Sequence, residues 1–161
     1  MSSAPSAEAI RLADGKSADL PAVITIMNGA FSPKFGEAWT RSQCAGILPM
    51  AGVSLMLAHD NGHDQPVGFS LSRAVADEAE LLLLAVAPDR QHRGVGRLLL
   101  EQFVEQARAA GARRVHLEVR DGNPAVQMYR RAGFRPVGRR PDYYRGSDGR
   151  QYDAITLAYS L

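Results

Sequence analysis

The alternation of apolar and polar positions divides the chain into strand-like and helix-like stretches. The clearest is residues 81–110, LLLLAVAPDRQHRGVGRLLLEQFVEQARAA. The unbroken apolar run from Leu81 to Val86 predicts a strand buried on both faces, and Pro88-Asp89 ends it. After Gln91-His92-Arg93-Gly94-Val95-Gly96 the period changes. Val95, Leu99, Phe103 and Ala107 recur at every fourth position, and Leu98 and Ala110 widen the stripe. The order is strand, glycine loop, helix. The first turn of such a helix holds unpaired N–H groups and the positive end of the helix dipole, a setting that suits phosphate. Gly94 and Gly96 carry no Cβ, so an anion can approach the backbone closely.

The stretches on either side complete the element order. Ala9 to Ala13 reads as a first strand. Ser17 is placed to cap a helix running to about Gly29, with Pro21 in its first turn. Residues 31–39, FSPKFGEAW, read as a loop with aromatic residues that either lid the core or line a substrate. Thr40 is placed to cap a short helix ending near Pro49. Val53 to His59 and Val67 to Ala76 read as a hairpin around Asn61-Gly62, and Asp77-Glu78 turns the chain into the strand ending at Val86.

Beyond the long helix, Gly111 is a natural C-cap. Residues Arg113 to Arg120, RRVHLEVR, then alternate cleanly, with Val115, Leu117 and Val119 on one face and His116, Glu118 and Arg120 on the other. Strand, crossover helix and strand imply a parallel pair. A polar face on such a strand borders a cleft, or Glu118 makes a salt bridge to Arg120 or a nearby arginine. Asp121-Gly122-Asn123-Pro124 is turn chemistry before a short helix to Ala132, which Gly133 ends. Phe134 starts a strand, Tyr143 to Gly149 reads as a loop with a hairpin turn at Asp148-Gly149, and Tyr152 to Tyr159 as the last strand; the stretch Tyr143 to Arg150 is expected to form a hairpin. The class is α/β (α+β), with antiparallel strands before the glycine loop and a parallel pair across it.

Composition narrows the picture without redirecting it. The 161 residues carry 22% charged and 45% hydrophobic side chains and show no linker, repeat or low-complexity segment. Residues 1–161 therefore read as a single domain, with 1–8 a short flexible tail. The lone Cys44 precludes an intrachain disulfide and fits a reducing cytoplasm, and the N-terminus has no signal-peptide pattern. The four histidines lack metal-ligand spacing, so no metal is expected. Charge is uneven: residues 1–80 carry a net −4 and residues 81–161 a net +6, so the glycine loop lies in the basic half. That balance favours an anionic ligand there. With 7% aromatics and no binding motif, direct nucleic-acid binding is not expected, nor is a membrane partner; the oligomeric state is not legible.

Three phosphate-binding patterns compete for the loop. A P-loop needs Lys-Ser or Lys-Thr after its glycines, which is lacking, and a dinucleotide fingerprint needs a third glycine where Leu99 stands. The pattern [QR]-x-x-G-x-[GA] fits Gln91 to Gly96; an ordinary strand-to-helix turn remains the alternative.

The motifs QHRGVG, LEVR and MYRRAGF, in this order and setting, resemble the GNAT superfamily of acetyl-CoA-dependent N-acetyltransferases. LEVRDGN, QMYRRAGF and the C-terminal DYYRGSDGRQYDAITLA are most similar to its RimI-type ribosomal-protein-alanine acetyltransferases. The likeness is strong over about residues 80–160 and loose before them. It implies a mixed sheet of about seven strands, split into a V between the fourth and fifth, with about four flanking helices. It also implies acetyl-CoA as co-substrate. Leu84, Ala85 and Val86 would contact the acetyl-pantetheine arm. Gln91, His92, Arg93, Gly94, Val95, Gly96 and Arg97 would hold the pyrophosphate, and Asn123 would contact the cofactor. Glu118 matches the general base and Tyr129 the general acid that protonates the leaving thiolate. The acceptor it implies is a protein N-terminus, a ribosomal alanine; a small amine, or CoA binding without turnover, are the alternatives.

Two departures bear on those assignments. Asn123 and Tyr129 are six positions apart where the family usually has seven. The N-terminal region lacks an obvious RimI-like Pro-Trp; it has Ser32-Pro33 and, further on, Trp39.

Overall fold

The computed structural model describes residues 10–161. The tail assigned to residues 1–8 lies outside the described residues. In chain order the regular elements are β1 (Ile10–Asp14), α1 (Leu20–Ala30), α2 (Arg41–Ile47), β2 (Val53–Asp60), β3 (Gly68–Val75), β4 (Glu78–Val86), α3 (Val95–Ala109), β5 (Arg114–Arg120), α4 (Ala125–Arg131), β6 (Arg135–Arg145) and β7 (Gln151–Ser160). The seven strands form one sheet in the order β1-β2-β3-β4-β5-β7-β6, with β4 and β5 parallel and every other neighbouring pair antiparallel.

The burial pattern follows the side-chain periods. Leu55 and Leu57 of β2 face α1 and α2, where they meet Val23, Ile26, Met27 and Cys44. Met56 and Ala58 face the opposite side, against Val95 and Leu99 of α3. Leu100, Phe103 and Ala107 of α3 pack with Val115, Leu117 and Val119 of β5 and Tyr129 of α4. So α1 and α2 cover one face and α3 and α4 the other. The polar positions of β5, including Glu118 and Arg120, point to the side of α1 and α2.

Strand β4 is less enclosed than expected, its buried positions alternating with half-buried ones such as Leu82 and Leu84, and a β-bulge lets one apolar run serve two cores. Leu81 pairs with Ser72 and Leu83 with Leu71, leaving Leu82 as the extra residue. Ala79 and Leu81 belong to the core under α3, whereas Leu83 and Ala85 belong to the core under α1. The parallel pairing of β4 with β5 covers only Glu78↔Arg114 to Leu81↔Leu117. Beyond it the two strands part, which is the V expected from the family resemblance.

Local departures from the sequence reading have local causes. Ser17 does not cap α1: it starts a 3-10 turn, Ser17–Asp19, and the Asp19 carboxylate accepts the Lys16 amide at 2.9 Å. Thr40 does cap α2, and Gln43 closes the capping box by accepting the Thr40 amide at 2.8 Å. Between β3 and β4 the two-residue turn is Ala76-Asp77, one position earlier than expected, and Ala76 takes φ +55°. The stretch from Tyr143 does not form a loop. Strand β6 continues to Arg145 past a register break between Arg140 and Tyr144, where Asp142 at φ +54° donates its amide to Asp153 at 3.0 Å. The loop is shorter, residues 146–150, and Gly146 donates to the Arg150 carbonyl at 2.8 Å.

Phe134 joins α4 to the sheet. It is fully buried, and its ring lies 6.2 Å from that of Tyr129 and 5.7 Å from that of Tyr159. Phe134→Ala is expected to lower the unfolding free energy by about 3–5 kcal/mol in urea denaturation, the usual cost of emptying a buried aromatic site. A loss below about 1 kcal/mol would show that α4 does not depend on this contact.

Candidate active site

The parting of β4 and β5 opens a cleft of about 1250 Å³. Leu82 to Val86 line one arm and Leu117 to Arg120 the other. The glycine loop and the start of α3 form one end; loop 31–39, the start of α4 and the tyrosines of β6 form the other.

At the loop end, Pro88–Arg90 make a 3-10 turn and His92 and Gly94 both take left-handed backbone, φ +62° and φ +85°. Helix α3 begins with Leu98 donating to the Gly94 carbonyl at 3.1 Å, so the amides of residues 95–97 stand at its positive end. The Gln91 side chain donates to the Val86 carbonyl at 3.0 Å, tying the loop to the end of β4. Nothing lies within 4 Å of where a Cβ on Gly94 would sit. Gln91, His92, Gly94, Gly96 and Arg97 line the cleft with Leu84, Ala85 and Val86. Arg93 and Val95 do not: Arg93 is exposed, and the Val95 side chain is core. Arg97 is exposed and pairs with Glu101 at 2.9 Å.

Across the V, the Glu118 carboxylate is largely buried and fully engaged. Arg140 donates to it at 2.9 Å and Thr156 at 2.6 Å, while the Tyr144 hydroxyl donates to the Glu118 carbonyl at 3.3 Å. The cleft and salt-bridge readings of Glu118 are therefore both realised, with Arg140 rather than Arg120 as the partner. Tyr129 is buried on α4 and reaches the cleft. Burial first, and the charge of Glu37 second, push its phenol above the ordinary tyrosine range. Tyr144 is pushed the same way by burial, then by Tyr143, Glu37, Glu118 and Tyr129.

Glu37 was not singled out from the sequence. It comes from loop 31–39, and its side chain is 9% exposed. Arg120 Nε donates to one of its oxygens at 3.1 Å and Asn123 Nδ2 to the other at 2.7 Å. The Arg120 guanidinium lies over the Phe35 ring, 3.6 Å from its centroid. Asn123 uses its own oxygen to accept the Ala125 amide at 2.8 Å, which caps α4. The partners of Glu37 are 83 and 86 residues away in sequence, a distance no local periodicity spans. The available signal was an acidic residue among aromatics beside a loop glycine. Loop 31–39 serves both roles considered for it: Phe31 and Trp39 pack on the core, and Phe31, Phe35 and Trp39 also line the cleft.

The family model described as the Acetyltransferase (GNAT) family matches residues 20–134. The chain belongs to the GNAT acetyltransferase family. It is 34% identical over 144 residues to the ribosomal protein bS18-alanine N-acetyltransferase of Salmonella typhimurium, covering 89% of this chain and 92% of that one. The crystal structure of the Escherichia coli ribosomal-protein-S18-alanine N-acetyltransferase superposes with a TM-score of 0.83 at 30% identity, covering 94% of each chain. Arabidopsis thaliana NAA60 in complex with acetyl-CoA shares the GNAT fold with a TM-score of 0.82 at 19% identity, covering 94% of this chain and 98% of that one. Among the described residues no helix is long and apolar enough to cross a membrane.

The raised Tyr129 phenol has a consequence for stability. The folded state holds this proton more tightly than the unfolded state. Its contribution is therefore complete below the unfolded value of about 10 and is lost as pH rises above it. Chemical denaturation at increasing pH is expected to show wild type losing stability above about pH 10 more steeply than Tyr129→Phe. Parallel curves would contradict the burial of the phenol.

Proposed function

We propose that the chain transfers the acetyl group of acetyl-CoA to the N-terminal α-amine of a protein, the alanine of a small-subunit ribosomal protein. The observation that carries this reading is the cleft itself: an anion-binding helix start lies on one side and a buried carboxylate on the other, in a chain 34% identical to an enzyme named for that reaction. A ribosomal acceptor puts the reaction in the cytoplasm.

The residues suit the group to be bound. The amides of residues 95–97 and the glycines of the loop receive the pyrophosphate. The β4 arm past Leu81 has no β5 partner, so its backbone groups are available to the pantetheine amides. Acetyl-CoA supplies a thioester carbonyl. A backbone N–H of the Leu84–Val86 stretch steadies the charge that develops on its oxygen.

The amine must shed a proton to attack. An α-amine near pKa 7.7–8.0 costs only about 1 kcal/mol to neutralise at pH 7, a lysine about 4.6. Glu118 takes that proton, directly or through a water, once the acceptor stands beside it. The new C–N bond forms, the C–S bond breaks, its electron pair leaves on sulfur, and the nitrogen's second proton passes to water. Tyr129, which reaches the cleft, donates its proton to the departing sulfur and recovers one from solvent.

The acceptor is tested with peptide pairs and mass spectrometry. A peptide with a free N-terminal alanine should be acetylated, and the same peptide with a blocked N-terminus and an internal lysine far more slowly. Equal rates would remove the N-terminal assignment, and activity confined to free small amines would replace it with the small-amine reading.

Two substitutions separate the halves of the cleft. Gly94→Asp puts a negative charge at the helix start, at a left-handed position where any side chain strains the backbone, and in a variant shown to stay folded should weaken acetyl-CoA binding by about tenfold or more in calorimetry. Glu118→Gln should leave that affinity nearly unchanged and lower the rate by about 10²-fold. The opposite pattern would reverse the assignment of the two sides.

A further inference from the structure

The Glu37 carboxylate links three parts of the molecule that the sequence keeps far apart. Its two oxygens receive Arg120 of β5 and Asn123 of the turn before α4, and neither is left over. Asn123 in turn caps the helix that carries Tyr129. The opposite side of loop 31–39 is fastened to the β6–β7 hairpin. Ser147 donates its amide to the Pro33 carbonyl at 3.0 Å, and a Cβ on Gly36 would come within 1.9 Å of the Arg145 carbonyl oxygen. A Cβ on Gly146 would come equally close, 1.9 Å, to the Lys34 carbonyl oxygen. The ring of Phe35 meets Tyr152 edge-on at 5.2 Å and lies under Arg120. The loop is thus a wall with little slack, anchored to the hairpin on one side and to β5 and α4 on the other.

We propose that Glu37 is a positioning residue of the transfer reaction: its carboxylate holds the wall formed by residues 31–39 in register with β5 and α4, so that the acceptor meets Glu118 and Tyr129 at a fixed distance. This rests on the acetyltransfer reading above. Glu37 need not touch the reacting atoms. It acts through Arg120, which follows Glu118 on β5 by two positions, and through Asn123, which orders the start of α4. The chemistry of the contact requires a carboxylate. Both partners are donors, each on its own oxygen of Glu37, so replacing either oxygen by an NH₂ leaves a donor facing a donor.

That requirement makes a reciprocal test available. In Glu37→Gln the amide accepts from one partner and turns its own NH₂ toward the other donor. In Asn123→Asp the cap on Ala125 survives, but the second oxygen faces the Glu37 carboxylate. When Glu37→Gln and Asn123→Asp are combined, the new amide at position 37 accepts from Arg120 and donates to the new carboxylate at position 123. Every donor then again meets an acceptor.

Glu37→Gln is expected to lose about tenfold or more in kcat/KM for the acceptor, with the KM for acetyl-CoA changed by less than about twofold; Asn123→Asp, at a side chain also assigned to the co-substrate, is expected to lose as much for the acceptor and to raise the KM for acetyl-CoA as well. Measured at saturating acetyl-CoA, the double variant is expected to return acceptor kcat/KM to within about threefold of wild type. Hydrogen exchange of the amides in residues 31–39, read without any acceptor, should rise in Glu37→Gln and fall back in the double variant. Unchanged acceptor kinetics in Glu37→Gln, or a double variant no better than the worse single one, would overturn the proposal. So would a loss that tracks melting temperature while the rate per folded molecule holds. If wild type proves to use a small amine, the peptide assignment fails, while the variant ratios on that amine and the exchange data still decide the role of Glu37.

Discussion

A strand that loses its neighbour midway leaves backbone N–H and C=O groups with no ladder to join, and each of them needs another partner. Strands β4 and β5 stay paired only as far as Leu81 and Leu117. Past that point side chains replace the missing ladder at selected places: Gln91 takes the Val86 carbonyl on one arm, and Tyr144 takes the Glu118 carbonyl on the other. The bulge at Leu82 falls at the point of parting, where an extra residue adds twist and turns β4 away from β5. The cleft is thus held open by the register of the sheet, and the amides between these anchors face into it. A ligand with alternating donors and acceptors along an extended arm can restore the pairing that the sheet gave up.

Two carboxylates sit in this cleft, each with an arginine, and their surroundings set them different tasks. The Glu37–Arg120 pair is enclosed, each side chain 9% exposed, and the guanidinium is pressed on Phe35. Removing one partner of such a pair costs about 3–5 kcal/mol, because the other charge is left buried alone. The Glu118 carboxylate is as well enclosed as Glu37, but the Arg140 side chain is 62% exposed and comes from the edge strand β6. A guanidinium that is already mostly solvated gives up less on leaving than an enclosed one. An incoming ammonium can therefore take the place of Arg140 at Glu118 at small cost, while Arg140 swings into water. It cannot take the place of Arg120 at Glu37 on the same terms. The exchangeable pair is the one the proposed chemistry uses, and the fixed pair supports the wall beside it.

The strands, helices and glycine loop were legible because their residues satisfy local rules: period two in RRVHLEVR, period four from Val95 to Ala107, and a two-sided capping box at Thr40. The V was legible through family likeness and through the polar face of β5, since a covered strand has no reason to bury Glu118 among apolar residues. Three features were not legible. Tyr143 and Tyr144 lie in β6, because the strand resumes after Asp142 adopts a left-handed backbone, which an Asp-Tyr-Tyr run following Pro141 does not announce. Arg140 rather than Arg120 meets Glu118, because β7 places Thr156 between the two outer strands and sets the reach of β6. Glu37 was hidden because its partners are brought to it by tertiary structure alone.

The turn between β5 and α4 shows how one missing residue can redistribute work. Asn123 stands six positions before Tyr129, one fewer than the family pattern, and α4 starts at Ala125 directly after Pro124. A primary amide offers two N–H donors and two acceptor lone pairs. Asn123 has given one lone pair to the Ala125 amide and one N–H to Glu37. One donor and one acceptor remain, on a side chain that lines the cleft. The contact to the co-substrate that the family resemblance implies therefore does not compete with the contact to Glu37. The same side chain can join helix start, loop wall and ligand, provided that Glu37 holds it in the orientation that leaves those two valences turned inward. A shorter turn makes this arrangement tighter: with less chain between β5 and α4, a shift of the loop wall is passed on to the helix of Tyr129 with little to absorb it.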